Sequence, residues 1–169
     1  GVTVNITPDT IITLPRPEEL HLDKKSSKII SSNYTVKDKV SHFSTQVIVN
    51  ADSKNIVIIA LASWGGTLFK LDYDGKTIVS SSLPMPNKNI GIKQSLTEFI
   101  MTNASKAVLD KMLSRTNLHM VFYKNKRLLL DTSGKKIIEI DYSKDNTSSN
   151  VTTIHNYLYN YTIKITDLK

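Results

Sequence analysis

Short β-branched runs broken by polar turns recur along most of the chain, and this rhythm constrains the fold more than any other feature of the sequence. The longest unbroken apolar run is Ile56 to Ala62. A membrane-spanning helix needs roughly 18 or more such residues, so no segment reads as one. Ile56 to Ala62 suits a central strand, because branched side chains fit a pleated surface. Upstream, Phe43, Thr45, Val47 and Val49 alternate with polar or smaller residues, which places one face in a core. Ala51-Asp52-Ser53-Lys54 reads as the turn between these segments. Ser63-Trp64-Gly65-Gly66 interrupts the pattern before Leu68 to Tyr73 resumes it. Asp74-Gly75 is expected to form a two-residue type I′ turn, whose two positions need positive φ. Thr77 to Ser82 would be the returning strand.

The rhythm then changes. Leu83-Pro84-Met85-Pro86 is expected to close this sheet section. Ser95-Leu96-Thr97-Glu98 reads as a capping box opening a short helix, with Leu96, Phe99 and Ile100 on one face. A second helix is expected over Ala104 to Leu113, with Val108, Leu109, Met112 and Leu113 as its apolar stripe. Strand patterns return at Leu118, Met120 and Phe122, then at Arg127 to Asp131 and Ile137 to Tyr142. Val151 to Ile165 is one long strand or a bent pair, with Tyr159, Tyr161, Ile163 and Ile165 on one face.

Residues 1–35 look different. Pro8, Pro15, Pro17 and the polar stretch Asp23 to Lys28 bury little surface, so a loose N-terminal arm is expected. The folded domain is expected over residues 36–169. The chain starts at Gly1 without an initiating Met, which reads as a processed or trimmed fragment.

The charge is +7, from 22 basic and 15 acidic residues. Its densest cluster, Lys124, Lys126 and Arg127 with Lys135 and Lys136 behind, flanks expected hairpin turns. That is where lysines protect strand edges, and no nucleic-acid partner is expected. With no Cys, thiol catalysis, disulfides and thiolate metal sites are excluded for these residues. No Gly-x-Ser-x-Gly elbow is present. Gly75-Lys76-Thr77 lacks the upstream Gly of a phosphate loop, Lys70 standing in its place. His21, His42, His119 and His155 have no local ligand spacing. Neither catalytic residues, a metal site nor a cofactor is assigned, and an enzyme is not expected.

The stretch Ile58-Ile59-Ala60-Leu61-Ala62-Ser63-Trp64-Gly65-Gly66-Thr67-Leu68-Phe69-Lys70-Leu71-Asp72-Tyr73-Asp74-Gly75 resembles a family of bacterial outer-membrane lipoproteins, domain of unknown function 3261. There, an apolar strand ends in a Pro-Leu-Gly loop followed by a second strand and an acidic hairpin. The lipoprotein receptor LolB has a similar loop and strand pair. The helical segment Leu96 to Leu113 and the closing Asn156, Tyr161 and Ile163 match in position. The resemblance covers about residues 36–167, with Ser63 and Trp64 replacing Pro-Leu.

Two expectations follow about the fold and the interior. Helices confined to one stretch of an antiparallel sheet imply an α+β fold, and a curled sheet under a helical lid makes a cavity suited to hydrocarbon. The resemblance implies a LolA/LolB-like half-barrel. Val47, Val49, Ile58, Ala60, Phe69, Leu71, Leu118, Met120 and Phe122 are expected to line the cavity, with Tyr161 and Ile163. Phe99, Ile100, Leu109 and Met112 would form its lid. Trp64, flanked by Gly65 and Gly66, would contact membrane or cargo, the other reading being a core Trp at a strand end.

The resemblance also implies a monomeric, periplasm-facing outer-membrane lipoprotein that binds acyl chains, lipids or lipoproteins. Its N-terminal lipid, on a Cys ahead of these residues, would hold it to the membrane surface. The competing reading is a non-catalytic envelope scaffold or interaction domain with a closed core.

Overall fold

The computed structural model describes residues 1–83 and 91–168. The elements in chain order are β1 (Thr3–Thr7), β2 (Thr10–Thr13), α1 (Pro17–Leu20), β3 (Lys24–Val36), β4 (Lys39–Ala51), β5 (Ile56–Leu61), β6 (Thr67–Tyr73), β7 (Ile78–Ser82), α2 (Ile92–Asn103), α3 (Lys106–Leu113), β8 (Leu118–Phe122), β9 (Lys126–Asp131), β10 (Lys136–Lys144), β11 (Asn150–Asn156) and β12 (Tyr161–Asp167). The Pro84-Met85-Pro86 closure lies outside the described residues.

Two antiparallel meanders build a single ten-stranded sheet in the order β7-β6-β5-β4-β3-β12-β11-β10-β9-β8. The first runs outward from β3 to β7. Helices α2 and α3 follow, and the second meander runs back from β8 to β12, which pairs with β3 from Thr162↔Asn33 to Asp167↔Lys28. β7 and β8 stand at opposite edges and do not pair, so the sheet is not closed. Phe69 on β6 and Tyr142 on β10 nevertheless line one pocket. In a flat sheet those strands would lie roughly 29 Å apart, at about 4.8 Å per strand. The sheet therefore curves around the helices.

Alternation decides which side chains go inward. Val47, Val49 and Ala51, then Ile56, Ile58 and Ala60, then Phe69, Leu71 and Tyr73 are all buried. Leu129, Ile138, Ile140, Ile154, Tyr161 and Ile163 supply the other side of the same core.

Residues 1–35 are not a loose arm. β1 and β2 form a hairpin packed against α2 and α3, and Val4, Ile6, Ile12, Leu14 and Leu20 enter the core. Tyr73 donates its hydroxyl to the Pro15 carbonyl at 2.8 Å, and Thr10 donates to Asn117 Oδ1 at 2.7 Å. β3 begins at Lys24, within the expected arm, and pairs with β4 along its whole length. The prolines and lysines hid short apolar alternations such as Val4/Ile6 and Ile12/Leu14, which suffice when another surface is ready to cover them.

Two local expectations change as well. Asp74-Gly75 belongs to a four-residue connection, because Tyr73 pairs with Ile78. The Asp74 carboxylate accepts from the N–H groups of Lys76 and Thr77, both at 2.8 Å, and Gly75 takes φ +94°. The Ser95/Glu98 capping box does not form either. α2 starts a turn earlier, so Ser95 donates to the Gly91 carbonyl at 2.9 Å and Glu98 is buried mid-helix. The expected second helix is α3, capped by Ser105 accepting from the Val108 N–H.

Candidate functional site: a pocket beneath helix α2

α2 is held firmly over the second meander. Arg127 donates through one guanidinium nitrogen to the Met101 and Ala104 carbonyls, at 2.6 and 2.8 Å. These are orphan acceptors of a helix C-terminus, where a cation also complements the helix dipole. The guanidinium also lies over the rings of Phe122 and Tyr142, 5.1 and 5.7 Å from their centroids. Tyr142 donates to the Thr102 carbonyl at 2.6 Å. Arg127 was expected at a solvated turn. Its side chain instead fixes the helix, and no local sequence signal marks that role.

One turn back, α2 is pinned again. Gln94 donates to Glu98 Oε1 at 3.0 Å and to the Tyr161 hydroxyl at 2.9 Å, and Tyr161 donates to the same Glu98 oxygen. Asn156 Nδ2 approaches the Tyr161 hydroxyl at 3.3 Å. Burial drives the Glu98 pKa up to about 7, and the hydrogen bonds from Tyr161 and Gln94 only partly offset it. The Tyr161 hydroxyl is pushed upward too, by burial first and by the facing carboxylate second.

With α2 fastened to β9, β10 and β12, space remains beside it over the middle of the sheet. A pocket of about 270 Å³ lies between the helix and β3, β4, β5, β6, β10, β11 and β12. Its deep walls are Val47, Val49, Ile58, Phe69, Ile154 and Ile163. Ser95, Glu98, Phe99 and Thr102 line it from α2, at spacings that share one helix face. Phe99 is half-buried and lines the pocket from the helix. The flank towards Lys24, Lys28, Asn103, Asn150 and Asp167 is polar. The volume is close to the lower bound of ligand pockets, about 300 Å³.

Of the residues expected to line a cavity, Val47, Val49, Ile58, Phe69, Phe99 and Ile163 meet here. Ala60, Leu71 and Ile100 are packed in the core with no exposure. Leu109, Leu118 and Met120 are buried in the same core, where α3 packs against β8. Phe122 stacks under Arg127. Met112 lies beside a separate depression next to the N-terminal hairpin. Tyr161 serves as the partner of Glu98. Period-two alternation names the inward face but not where that face meets a helix and where it meets a void.

Residues 31–169 match the family described as Protein of unknown function (DUF3261). The chain belongs to this family. No curated protein matches the chain. The DUF3261 match begins inside β3. The N-terminal hairpin and the pocket residues Lys24, Lys28 and Ile30 therefore precede the matched residues, whereas α2, Phe99 and the Trp64 loop fall within them.

That loop joins β5 to β6. The Ala62 N–H donates to the Gly66 carbonyl at 2.8 Å, and the Gly65 N–H to the Ala62 carbonyl at 2.9 Å. Gly65 adopts φ +91°, open to glycine without strain. The Trp64 ring lies over Gly66, where a Cβ would come within 1.6 Å of it. Trp64 is 71% exposed, so it is not a core residue.

On the opposite sheet face from Ile138 and Ile140, Glu139, Asp141 and His155 gather their ligand-type atoms within 4.8 Å. The sequence spacing did not reveal this convergence, which comes from β10–β11 pairing of Glu139 with His155. Lys126 reaches Asp141 at 3.6 Å and Glu139 at 4.0 Å, and Lys136 reaches Glu139 at 3.4 Å. Burial alone would raise the Glu139 pKa, but the Asp141 hydrogen bond and the two lysines bring it below the ordinary value. Asp141 is pushed up, by burial and then by Glu139. Two ammonium groups already balance the two carboxylates, and the cluster works as an ion-pair network.

Among the described residues, no helix is long and apolar enough to cross a membrane.

Proposed function

We propose that this protein is a non-catalytic carrier or receptor that takes hydrocarbon, an acyl chain or the acylated end of a lipidated cargo, beneath α2. The observation that carries this reading is the pocket itself. Branched and aromatic side chains line its depth, and the half-buried Phe99, which lines it from α2, would serve as its cover. Apolar space of this kind gains by excluding water from a chain of methylenes. In this reading the curved sheet is a LolB-like half-barrel and the protein works at the periplasmic side of the bacterial outer membrane.

The Trp64 loop would be its membrane or cargo contact. An indole is apolar with one wet N–H, which suits an interface, and its exposure at a loop tip supports that role. Two titrations test the proposal. A fluorescent fatty acid should bind and be displaced by unlabelled acyl chains. Emission of Trp64, the single Trp, should shift blue when anionic vesicles are added. Absence of saturable fatty-acid binding would remove the carrier reading and favour a scaffold with a closed core. An emission that ignores vesicles would remove the membrane role of the loop.

A further inference from the structure

The polar flank of the pocket is built for more than a tail. On β3 the inward face carries Lys24, Ser26, Lys28 and Ile30, opposite Ala51, Val49, Val47 and Thr45 of β4. Lys28 pairs with Asp167 at 2.6 Å. Lys24 is held by an amide, the Asn103 Oδ1 at 3.2 Å, so the flank keeps an excess positive charge. Among the described residues, the hydroxyls of Ser26 and Thr102 are buried without a hydrogen-bond partner, and Thr102 lines the pocket. Buried hydroxyls left unpaired are unfavourable, and an incoming acceptor would relieve at least the one at Thr102. Glu98 already accepts from Tyr161 and Gln94, so the pocket's acid is engaged away from the lysines. Beyond the lysines the face turns apolar at once: Ile30 follows Lys28 by two positions, and Ile165 precedes Asp167 by two.

We propose that the pocket takes a single-chain amphiphile with an anionic head group, a carboxylate or a phosphate. The head meets Lys24, Lys28 and the Thr102 hydroxyl. The chain runs past Ile30 and Ile165 towards Val47, Ile58 and Phe69. This rests on the carrier reading above and names the ligand class it would take. An ionised oxygen makes stronger hydrogen bonds to ammonium and hydroxyl groups than a neutral one, and it competes with Asp167 for Lys28.

Calorimetric titration of the whole chain with dodecanoate, dodecyl phosphate and dodecanol, below micelle formation, tests it. Both anions should bind about tenfold more tightly than the alcohol. Lys24→Gln should close most of that gap. Asp167→Asn should widen the gap, because it frees Lys28. Either order between carboxylate and phosphate supports the proposal and identifies the source of the head group. Equal affinities for all three ligands, or a gap that neither variant moves, would overturn the head-group assignment and leave the acyl pocket standing. Failure of all three to bind would overturn both.

Discussion

The sheet's two halves treat their inner faces differently. In the second meander, Leu118, Met120, Leu129, Ile138 and Ile140 are all 6% exposed or less, and α2 is fastened there by Arg127, Tyr142 and Tyr161. In the first, the inner face is apolar on β4, β5 and β6, but β3 interrupts it with Lys24, Ser26, Lys28 and Ser32. A strand with that inner face cannot close against a helix as an aliphatic strand does, since burying its ammonium groups unpaired would be costly. The helix follows the strands that pack, and the void is left around β3, where it meets β4 on one side and β12 on the other. One polar strand inside an apolar sheet is enough to turn a core into a pocket.

The largest expected effect tests the packed half. Ile140 has no exposure, and Ile140→Ala should cost about 2–5 kcal/mol by leaving a cavity in a close-packed region. Ile165 borders the pocket and is half-buried, so Ile165→Ala, which only enlarges an existing space, should cost about 1 kcal/mol. Urea unfolding of the two variants measures the difference, and equal losses would break the comparison.

The next effect probes the pin between α2 and β12. Glu98 has an ordinary pKa of 4.5 in the unfolded chain and about 7 in the fold. Between those values the folded state keeps a proton that the unfolded state has released. Its contribution is therefore most favourable below pH 4.5 and is lost as pH rises to about 7, by on the order of 3 kcal/mol. Glu98→Gln should remove that part of the slope when unfolding curves are recorded from pH 4.5 to 8. A variant with the parent's slope would show that Glu98 is ionised within the fold.

The smallest effect concerns the cover. Phe99 is half-buried, and Phe99→Ala should cost only about 1 kcal/mol. The release of a bound fluorescent fatty acid in stopped-flow displacement should become faster. Unchanged release would place the entry path elsewhere.

Much of this arrangement is legible in the sequence. Alternation at Val47/Val49, Ile56–Leu61 and Leu118/Met120 marks real strands, and the stripe at Leu109, Met112 and Leu113 marks a real helix. β3 is not legible, and the reason is physical. Its inner face borders a polar pocket flank, so Lys24 to Lys28 shows no apolar period and reads as a linker. The feature that conceals the strand is the feature that opens the pocket. The grip of Arg127 on α2 and the meeting of Glu98 with Tyr161 are equally silent, because each joins residues far apart in sequence. The loop at Trp64 shows in its glycines, whereas the exposure of its ring depends on what the neighbouring strands leave uncovered.

The central claim is that hydrocarbon enters the middle of the interior, where β3 and β4 meet β11 and β12, and not the packed end beneath β8 and β9. Methyl-labelled NMR spectra recorded while dodecanoate is added test it most directly. Shifts are expected at Ile30, Val47, Val49, Ile58, Ile163 and Ile165, with Leu118, Met120 and Leu129 unmoved. Saturating shifts confined to Leu118, Met120 and Leu129, or no shifts at any of these methyls, would contradict it.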